Sequence, residues 1–366
     1  MKKILSVLLL SLIAWACTED ETQINDNDSF DRAAMLTNWA DNIIIPGYVN
    51  YNSKVDVLAE AKSTFTSNPT VENLSTLRAA WLAAYVSWQK VSMFEIGKAE
   101  TLGLRGYTNI YPTNATEIEQ LASSGTYDLE LPSTRDAQGF PALDYLLNGT
   151  ATTDAEIVAR FNTEESLSIY LSDITDRLKN HAALVLDDWQ NGYRDTFVSN
   201  DGSSATSSVN KLVNDYMFYY EKHLRAGKIG IPAGVFSNTT LSTNVEAFYK
   251  QDVSKTLFDA ALQASVDFFN GKHFDGNGQG ESLKSYLDFL NTITGGEQLS
   301  ALINNQFDQA KQISSTLDEN FYQQVESNNE AMLFTYDELQ KNVVLMKVDM
   351  FQALNVKVDF VDADGD

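Results

Sequence analysis

Cysteine is nearly absent from this chain: Cys17 is the only one in 366 residues, so no internal disulfide can form. Histidine is also scarce, and the three residues His181, His223 and His273 belong to no His-Glu-x-x-His motif and no Glu-x-x-His pair. These absences exclude a disulfide scaffold. They also argue against a zincin peptidase and against a ferritin-like di-iron bundle.

Positive charge is the next scarce feature. The chain has 26 Lys and Arg residues against 50 Asp and Glu residues, which gives a formal net charge of −24. Such a surface repels phosphate backbones and anionic headgroups, so we expect no nucleic-acid partner. Beyond residue 16, no apolar run approaches the roughly 18 residues that a membrane-spanning helix needs. Any membrane contact should therefore be made by a lipid that is covalently attached to the chain.

The first residues resemble a bacterial lipoprotein signal. Lys2 and Lys3 precede an apolar stretch, residues 4–16, whose length is typical of a secretory signal. The stretch ends in Ala-Trp-Ala directly before Cys17, where cleavage leaves a cysteine that can carry lipid. An ordinary signal peptide with an incidental cysteine is the alternative.

The sequence thus predicts a signal peptide over residues 1–16 and a lipidated tether over residues 17–29. The tether is acidic, polar and without an apolar period, as is typical of a segment that forms no packed core. We expect an outer-membrane lipoprotein that is anchored by its lipid and faces the periplasm or the cell surface.

Apolar residues recur at steps of three and four through most of the remaining chain, which predicts an all-α fold. One helix is expected from Asn68-Pro69 to the neighbourhood of Gly97, and a capping box at Thr153 and Glu156 should begin another. The apolar face of the first helix consists of Leu74, Leu77, Trp81, Tyr85 and Trp88.

Polar stretches divide the periodic pattern. The stretch at residues 199–208 lies near the middle and is interpreted as a connector between two domains. We expect an N-terminal helical bundle over residues 30–198 and a C-terminal one over residues 209–366. Each half has enough helices for a four-helix bundle, and the two bundles should pack side by side.

One segment, residues 138–149, combines a glycine, a proline and an acid. If Pro141 opens a helix there, Asp144 lies in the same first turn, where the helix dipole favours a carboxylate. Asp144 is then either part of a functional site or a plain capping acid, and the residues alone leave both open.

Four segments in this order resemble the imelysin-like family, named after an insulin-cleaving outer-membrane peptidase. Residues 81–89 are similar to its early Trp- and Ala-rich helix, and Asn109-Ile-Tyr111-Pro112 is similar to its Asn-x-Trp-Pro turn. Residues 139–144 align with its Gly-x-His-x-x-Glu motif, and residues 345–366 are similar to its ending. The resemblance implies two similar four-helix bundles with a site in the cleft between them.

The motif is degenerate, because Pro141 stands in the position of histidine and Asp144 in the position of glutamate. Proline has no ligand atom, so a His-plus-carboxylate metal site cannot form there, and peptidase activity is not expected. The resemblance instead favours a non-catalytic binding lipoprotein associated with iron or haem acquisition, with an outer-membrane receptor as a possible partner. The alternatives are a metal-dependent peptidase of the imelysin type and a glycan-binding helical lipoprotein. No cofactor is specified, although iron or haem is a possible ligand.

The resemblance places the ligand-binding residues around Asp144. Asn109, Tyr111 and Gly139 follow from the family's motif positions. Glu221 and Arg225 are added because charged residues beside the aromatic stripe at residues 216–220 could reach across a domain interface. We therefore expect Asp144 to face a polar cleft that it shares with these side chains.

The replacement Cys17→Ala should move the protein from the membrane fraction of its host to the soluble fraction, because the variant has no thiol to carry lipid. Fractionation followed by immunoblotting measures the distribution. Ser11→Ala, which changes the apolar stretch but keeps the cysteine, is the control. Unchanged membrane fractionation of the Cys17→Ala variant would contradict lipidation.

Overall fold

The computed structural model describes residues 29–360, and this part of the chain is predominantly helical with one short hairpin of strands, which confirms the predicted all-α fold class. The signal segment, Cys17, nearly all of the tether and the acidic end at residues 361–366 lie outside the described residues. None of the helices between residues 29 and 360 has the length and apolar character of a membrane span.

The first half of the described chain contains ten α-helices. They are α1 Arg32–Asn38, α2 Ile45–Ser67, α3 Val71–Gln89, α4 Lys98–Leu102, α5 Leu104–Thr108, α6 Ala115–Ser124, α7 Gly139–Asn148, α8 Asp154–Thr163, α9 Glu165–Asp188 and α10 Arg194–Ser199. The predicted capping box of Thr153 and Glu156 begins α8, which confirms that prediction.

The second half begins after a non-helical segment, residues 200–207, which lies within the polar stretch at residues 199–208. Its role as a connector between two domains stays a prediction. The helices of the second half are α11 Ser208–Phe218, α12 Ser254–Phe269, α13 Leu283–Phe289, α14 Leu299–Ser314, α15 Phe321–Val344 and α16 Phe351–Ala353. A short antiparallel hairpin, β1 Ile293–Thr294 and β2 Glu297–Gln298, pairs Ile293 with Gln298.

Several of these helices are extended by wider π-helical turns. The π-helical segments are Trp39–Ile44, Trp189–Tyr193, Tyr219–Gly230 and Leu345–Met350, and two 3-10 turns occupy Pro132–Ala137 and Ser242–Asn244. Such widened turns are uncommon and often lie at functional sites. The longest, Tyr219–Gly230, continues α11 and carries both Lys228 and His223.

The π-helical segment after α1 accommodates a proline inside a continuous helix. Pro46 has no N–H and cannot donate to the carbonyl of Asn42, four residues earlier. That carbonyl accepts a hydrogen bond from the backbone N–H of Phe274 instead, at 2.8 Å. A local property of proline thus frees an acceptor that ties the first helices to the second half.

The core of the first half lies between α2, α3 and α9, and that of the second half between α14, α15 and the π-helical segment Tyr219–Gly230. Helix α12 of the second half packs on α3 of the first. Residues from Asp31 onward form one compact unit, and the division into two four-helix bundles stays a prediction.

Helix α3 is shorter than predicted, because it ends at Gln89 rather than near Gly97. The residues that follow use their backbone groups for tertiary hydrogen bonds. The carbonyl of Ser92 accepts from Arg105 Nη1 at 3.1 Å, and the N–H of Glu95 donates to Asp215 Oδ2 at 2.5 Å. Both bonds require the chain to leave the helical path.

Candidate functional site at the junction of the two halves

A buried ion pair between Lys228 and Glu246 lies where the two halves of the chain meet. Lys228 belongs to the last turn of the π-helical segment, and Glu246 follows the 3-10 turn at residues 242–244. The ammonium group donates a hydrogen bond to Oε2 of Glu246, and each side chain is only 2% exposed. Burial lowers the pKa of Lys228, while the neighbouring Glu246 opposes that shift.

Two amides from the first half complete the surroundings of this pair. Gln89, at the end of α3, donates from Nε2 to Glu246 Oε1 at 3.0 Å and accepts from Lys228 Nζ at 2.9 Å. Asn109, directly after α5, donates from Nδ2 to the same carboxylate oxygen at 2.7 Å. A buried pair stays favourable only if further hydrogen bonds surround it. The two amides bind Glu246 Oε1, and Gln89 also accepts one N–H of the ammonium group.

The network continues into the aromatic core through Tyr85. Its hydroxyl donates to Asn109 Oδ1 at 2.5 Å, and its ring stacks on Phe140 with the centroids 4.5 Å apart. The carbonyl of Phe140 in turn accepts from Trp81 Nε1 at 3.1 Å. The aromatic stripe of α3 therefore both packs the core and orients the polar groups of the junction.

Asp144 is also buried, with an exposure of 1%. It binds the segment of the second half between Glu246 and α12. Its Oδ2 accepts from the backbone N–H of Tyr249 at 2.8 Å, and its Oδ1 accepts from that of Lys250 at 2.9 Å. The Asn148 amide adds a third bond to Oδ1 at 3.0 Å. Burial nevertheless raises the pKa of Asp144 to about 7, because desolvation outweighs the hydrogen bonds to Tyr249, Lys250 and Asn148.

Gly139 provides the close approach that this arrangement needs. Its φ is +75°, and a Cβ atom there would lie 2.3 Å from the carbonyl oxygen of Thr108. Thr108 directly precedes Asn109, so the contact sets the spacing between α7 and the segment that carries Asn109. A side chain at position 139 would force the two apart.

Two cavities adjoin these residues and share Tyr111. The first, here called the outer cavity, has a volume of about 220 Å³, and its lining includes Tyr111, Pro141, Asp144, Val245, Phe248 and Tyr249. The second, here called the inner cavity, has a volume of about 20 Å³, and its lining includes Trp88, Arg105, Tyr111, Tyr219, His223 and Lys228. Tyr111 therefore lies between an aromatic chamber and a small polar one.

The predicted site residues are only partly brought together. Tyr111 and Asp144 line the outer cavity, Asn109 and Tyr111 line the inner one, and Gly139 supports both through the backbone. Glu221 and Arg225 line neither cavity. Their assignment as ligand-binding residues stays a prediction.

Glu221 and Arg225 point into a separate cluster of the second half. Lys347 Nζ donates to Glu221 Oε2 at 3.0 Å, and Arg225 Nη1 donates to the Tyr336 hydroxyl at 2.9 Å. Arg225 Nη1 also donates to Gln340 of α15. The π-helical segment places Glu221 and Arg225 against α15 and its continuation, whereas Lys228 lies against α3.

The position of Asp144 within its helix differs from the prediction. Helix α7 begins at Gly139, so Pro141 is its third residue and Asp144 its sixth. The first-turn N–H groups have no intrahelical partner, so a proline at the third position costs no helical bond, and the helix starts earlier. Asp144 is therefore not a first-turn capping acid.

Lys228, Glu246 and Gln89 were missed as site residues by the sequence interpretation. A signal for Lys228 exists, because it follows Tyr216, Tyr220 and Leu224 at steps of four and so falls on a buried stripe. Glu246 lies in an irregular segment and carries no such periodic signal.

The motif position does not fit a metal ion. Pro141 offers no ligand atom, and both oxygens of Asp144 already accept N–H groups. Among residues 29–360, no group of three or more His, Cys, Asp or Glu side chains is arranged to hold a metal ion.

Replacing Asp144 by asparagine should change how stability depends on pH. The folded-state pKa of about 7 lies above the unfolded value, so the folded state binds the proton more tightly. The contribution of Asp144 is therefore complete below about pH 4 and is lost as the pH rises towards 7. The free energy of unfolding of the wild type, relative to that of Asp144→Asn, should fall by up to about 4 kcal/mol across this window.

Urea unfolding of both proteins at several pH values measures this difference. Asp215, whose pKa burial raises to about 6, titrates in the same range, but it is present in both proteins and cancels in the comparison. Parallel pH profiles of the two proteins would contradict the assignment of a raised pKa to Asp144.

Comparison with known proteins places this chain in a family. The imelysin family model matches residues 44–345. Iron-regulated protein A of Synechococcus elongatus is 26% identical over 147 residues, which are 39% of this chain and 38% of that protein. The chain thus spans well under half the length of this relative.

Two crystal structures share the fold. One, of a protein from Parabacteroides distasonis named as an iron-regulated protein A precursor, has a TM-score of 0.72 and 15% identity, with 87% of this chain and 94% of that chain covered. The other, of an imelysin-like protein from Psychrobacter arcticum, has a TM-score of 0.60 and 18% identity, with 90% and 97% covered. With the family model matching most of its length, this chain belongs to the imelysin family.

Proposed function

We propose that this protein is a non-catalytic, lipid-anchored binding protein of the bacterial envelope that takes part in iron acquisition. A relative and a structural neighbour are both named iron-regulated protein A, which supports a role connected with iron. The binding site proposed for the iron-bearing ligand is the outer cavity. A receptor of the outer membrane is the proposed partner that passes the ligand on.

The observation that carries this proposal is that the Asp144 carboxylate accepts backbone hydrogen bonds instead of facing a metal site. In a peptidase of this family, the motif would need to bring a histidine and a carboxylate to a metal ion. Here Pro141 contributes an apolar ring, and the Asp144 carboxylate is engaged by the N–H groups of Tyr249 and Lys250. The same residues shape a cavity rather than a hydrolytic centre, which supports binding without catalysis.

The size and lining of the outer cavity favour a small ligand. Pockets for drug-sized molecules have volumes of about 300–1,000 Å³, whereas the outer cavity has about 220 Å³. Haem exceeds this space, so a small ferric chelate is the better fit. Tyr111, Phe248 and Tyr249 supply aromatic faces, and Thr113 and Thr243 add hydroxyl groups at its edge.

The replacement Thr243→Trp should block this cavity with little effect on the fold, because Thr243 is an exposed residue of the lining. We expect the purified full-length protein to bind ferric citrate in isothermal titration calorimetry, and the variant to bind it at least about tenfold more weakly. Haemin should bind neither protein at this site.

Thr76→Trp is the matched control, since Thr76 is an exposed threonine on α3 and does not line the outer cavity. It should bind ferric citrate like the wild type. A wild type that binds no ferric chelate, or a Thr243→Trp variant with unchanged affinity, would refute the proposed site. Tight binding of haemin without ferric citrate would refute the choice of ligand.

A further inference from the structure

The inner cavity contains a buried hydroxyl that no protein group satisfies. Tyr219 is 2% exposed, and its hydroxyl has no hydrogen-bond partner among the described residues. The Ser92 hydroxyl, which donates to the Gln89 carbonyl at 3.3 Å, lies near enough to lower the pKa of Tyr219 but makes no hydrogen bond of ordinary geometry with its hydroxyl. A buried hydroxyl without a partner costs about 1–3 kcal/mol. Tyr219 lies in the lining of the inner cavity, so a guest there can be the partner of its hydroxyl.

Two cations in the same lining have spare donors. Lys228 has three N–H groups, and Gln89 and Glu246 account for two of them. Arg105 has five side-chain N–H groups, of which three bind Glu95, Ser92 and Asp215. One N–H of Lys228 and two of Arg105 therefore have no acceptor assigned within residues 29–360.

His223 adds a neutral imidazole to this lining. Its ring is stacked on that of Tyr219, with the centroids 5.9 Å apart. Burial and the nearby Arg105 and Lys228 lower the pKa of His223 to about 3, so it is uncharged at neutral pH and has one N–H to donate.

The carboxylates of this region lie behind the cations rather than in the cavity. Glu95 and Asp215 bind Arg105, and Glu246 binds Lys228, but none of the three lines the inner cavity. The lining is therefore rich in N–H and O–H donors, while the carboxylates balance the cations. A guest should be drawn by the surplus of donors, and it should be an acceptor.

The volume limits this guest to about one atom. A cavity of about 20 Å³ suffices for one water molecule or one ion of similar size, since a water needs about 10–15 Å³. The acceptors of the lining include hydroxyl oxygens and one ring nitrogen of His223, whereas its donors include the two cations Arg105 and Lys228. A halide, which only accepts, therefore fits the charge of the lining better than a water does.

We propose that the inner cavity binds a single monatomic anion of chloride size, held by the Tyr219 hydroxyl, the Lys228 ammonium, the Arg105 guanidinium and the His223 imidazole. The anion satisfies the buried donors between the two halves of the chain. The site is independent of the proposed role in iron acquisition, because it involves neither the outer cavity nor a metal ion.

Thermal unfolding in sodium chloride and in sodium gluconate at equal ionic strength tests the proposal, since gluconate is too large for the cavity. A ligand that binds the folded state raises the melting temperature in proportion to ln(1 + [L]/Kd). The wild type should therefore show a chloride-specific gain that grows with the logarithm of the chloride concentration above Kd. Tyr219→Phe should raise the apparent Kd for chloride about tenfold or more, because it removes one donor to a charged group.

Tyr51→Phe is a matched control, because the Tyr51 hydroxyl is also buried and without a partner but does not line the inner cavity. This variant should keep the full chloride-specific gain. In gluconate, both variants should be as stable as the wild type or more stable, since each loses an unsatisfied hydroxyl. That result would also show that Tyr219→Phe folds.

Crystals grown in sodium bromide give the position of the bound anion directly, because bromide replaces chloride and scatters anomalously. An anomalous peak within contact distance of the Tyr219 hydroxyl and Lys228 Nζ is expected, and it should be weaker in Tyr219→Phe crystals grown at the same bromide concentration. A water at this place, bromide peaks on the surface alone, or a chloride gain that Tyr219→Phe retains would each overturn the proposal.

Discussion

The buried ion pair between Lys228 and Glu246 is the interaction on which the junction of this protein depends. Removing two charges from water costs several kcal/mol per ion, so the pair is stable only where further hydrogen bonds surround it. Gln89 and Asn109 supply those bonds from the first half of the chain. The end of α3, the segment after α5 and the π-helical segment must therefore meet in one geometry.

Around this pair, the motif residues have taken a different role from the one their family resemblance implies. Asp144 keeps a carboxyl group but uses it to hold the backbone of Tyr249 and Lys250, and Pro141 contributes an apolar ring to the neighbouring wall. Both residues line the outer cavity. The ion pair also gives the longest π-helical segment, Tyr219–Gly230, a structural role. This segment brings Lys228 to α3 and Arg225 to α15.

The helices were predictable because packing at steps of three and four is local, and the aromatic face of α3 is buried as its spacing predicts. The end of α3 could not be predicted from local spacing, because the hydrogen bonds of Arg105 and Asp215 with the backbone of Ser92 and Glu95 determine it. Asn109, Tyr111 and Asp144 were predicted from a resemblance in short segments, and all three lie at the junction of the two halves. Glu246 was not predicted as a site residue. Its amide partners Gln89 and Asn109 are far away in the chain, and such contacts leave no trace in the local spacing of residues.

A double-mutant cycle with Lys228→Met and Glu246→Gln tests the central role of this pair most directly. Urea unfolding gives the free energy of unfolding of the wild type, both single variants and the double variant. Each single change should cost about 3–5 kcal/mol, because it leaves a buried charge without its partner. The double variant should lose less than the sum, by at least about 1 kcal/mol. Losses that add within about 0.5 kcal/mol would show that the two side chains do not act as a pair, and would contradict this account.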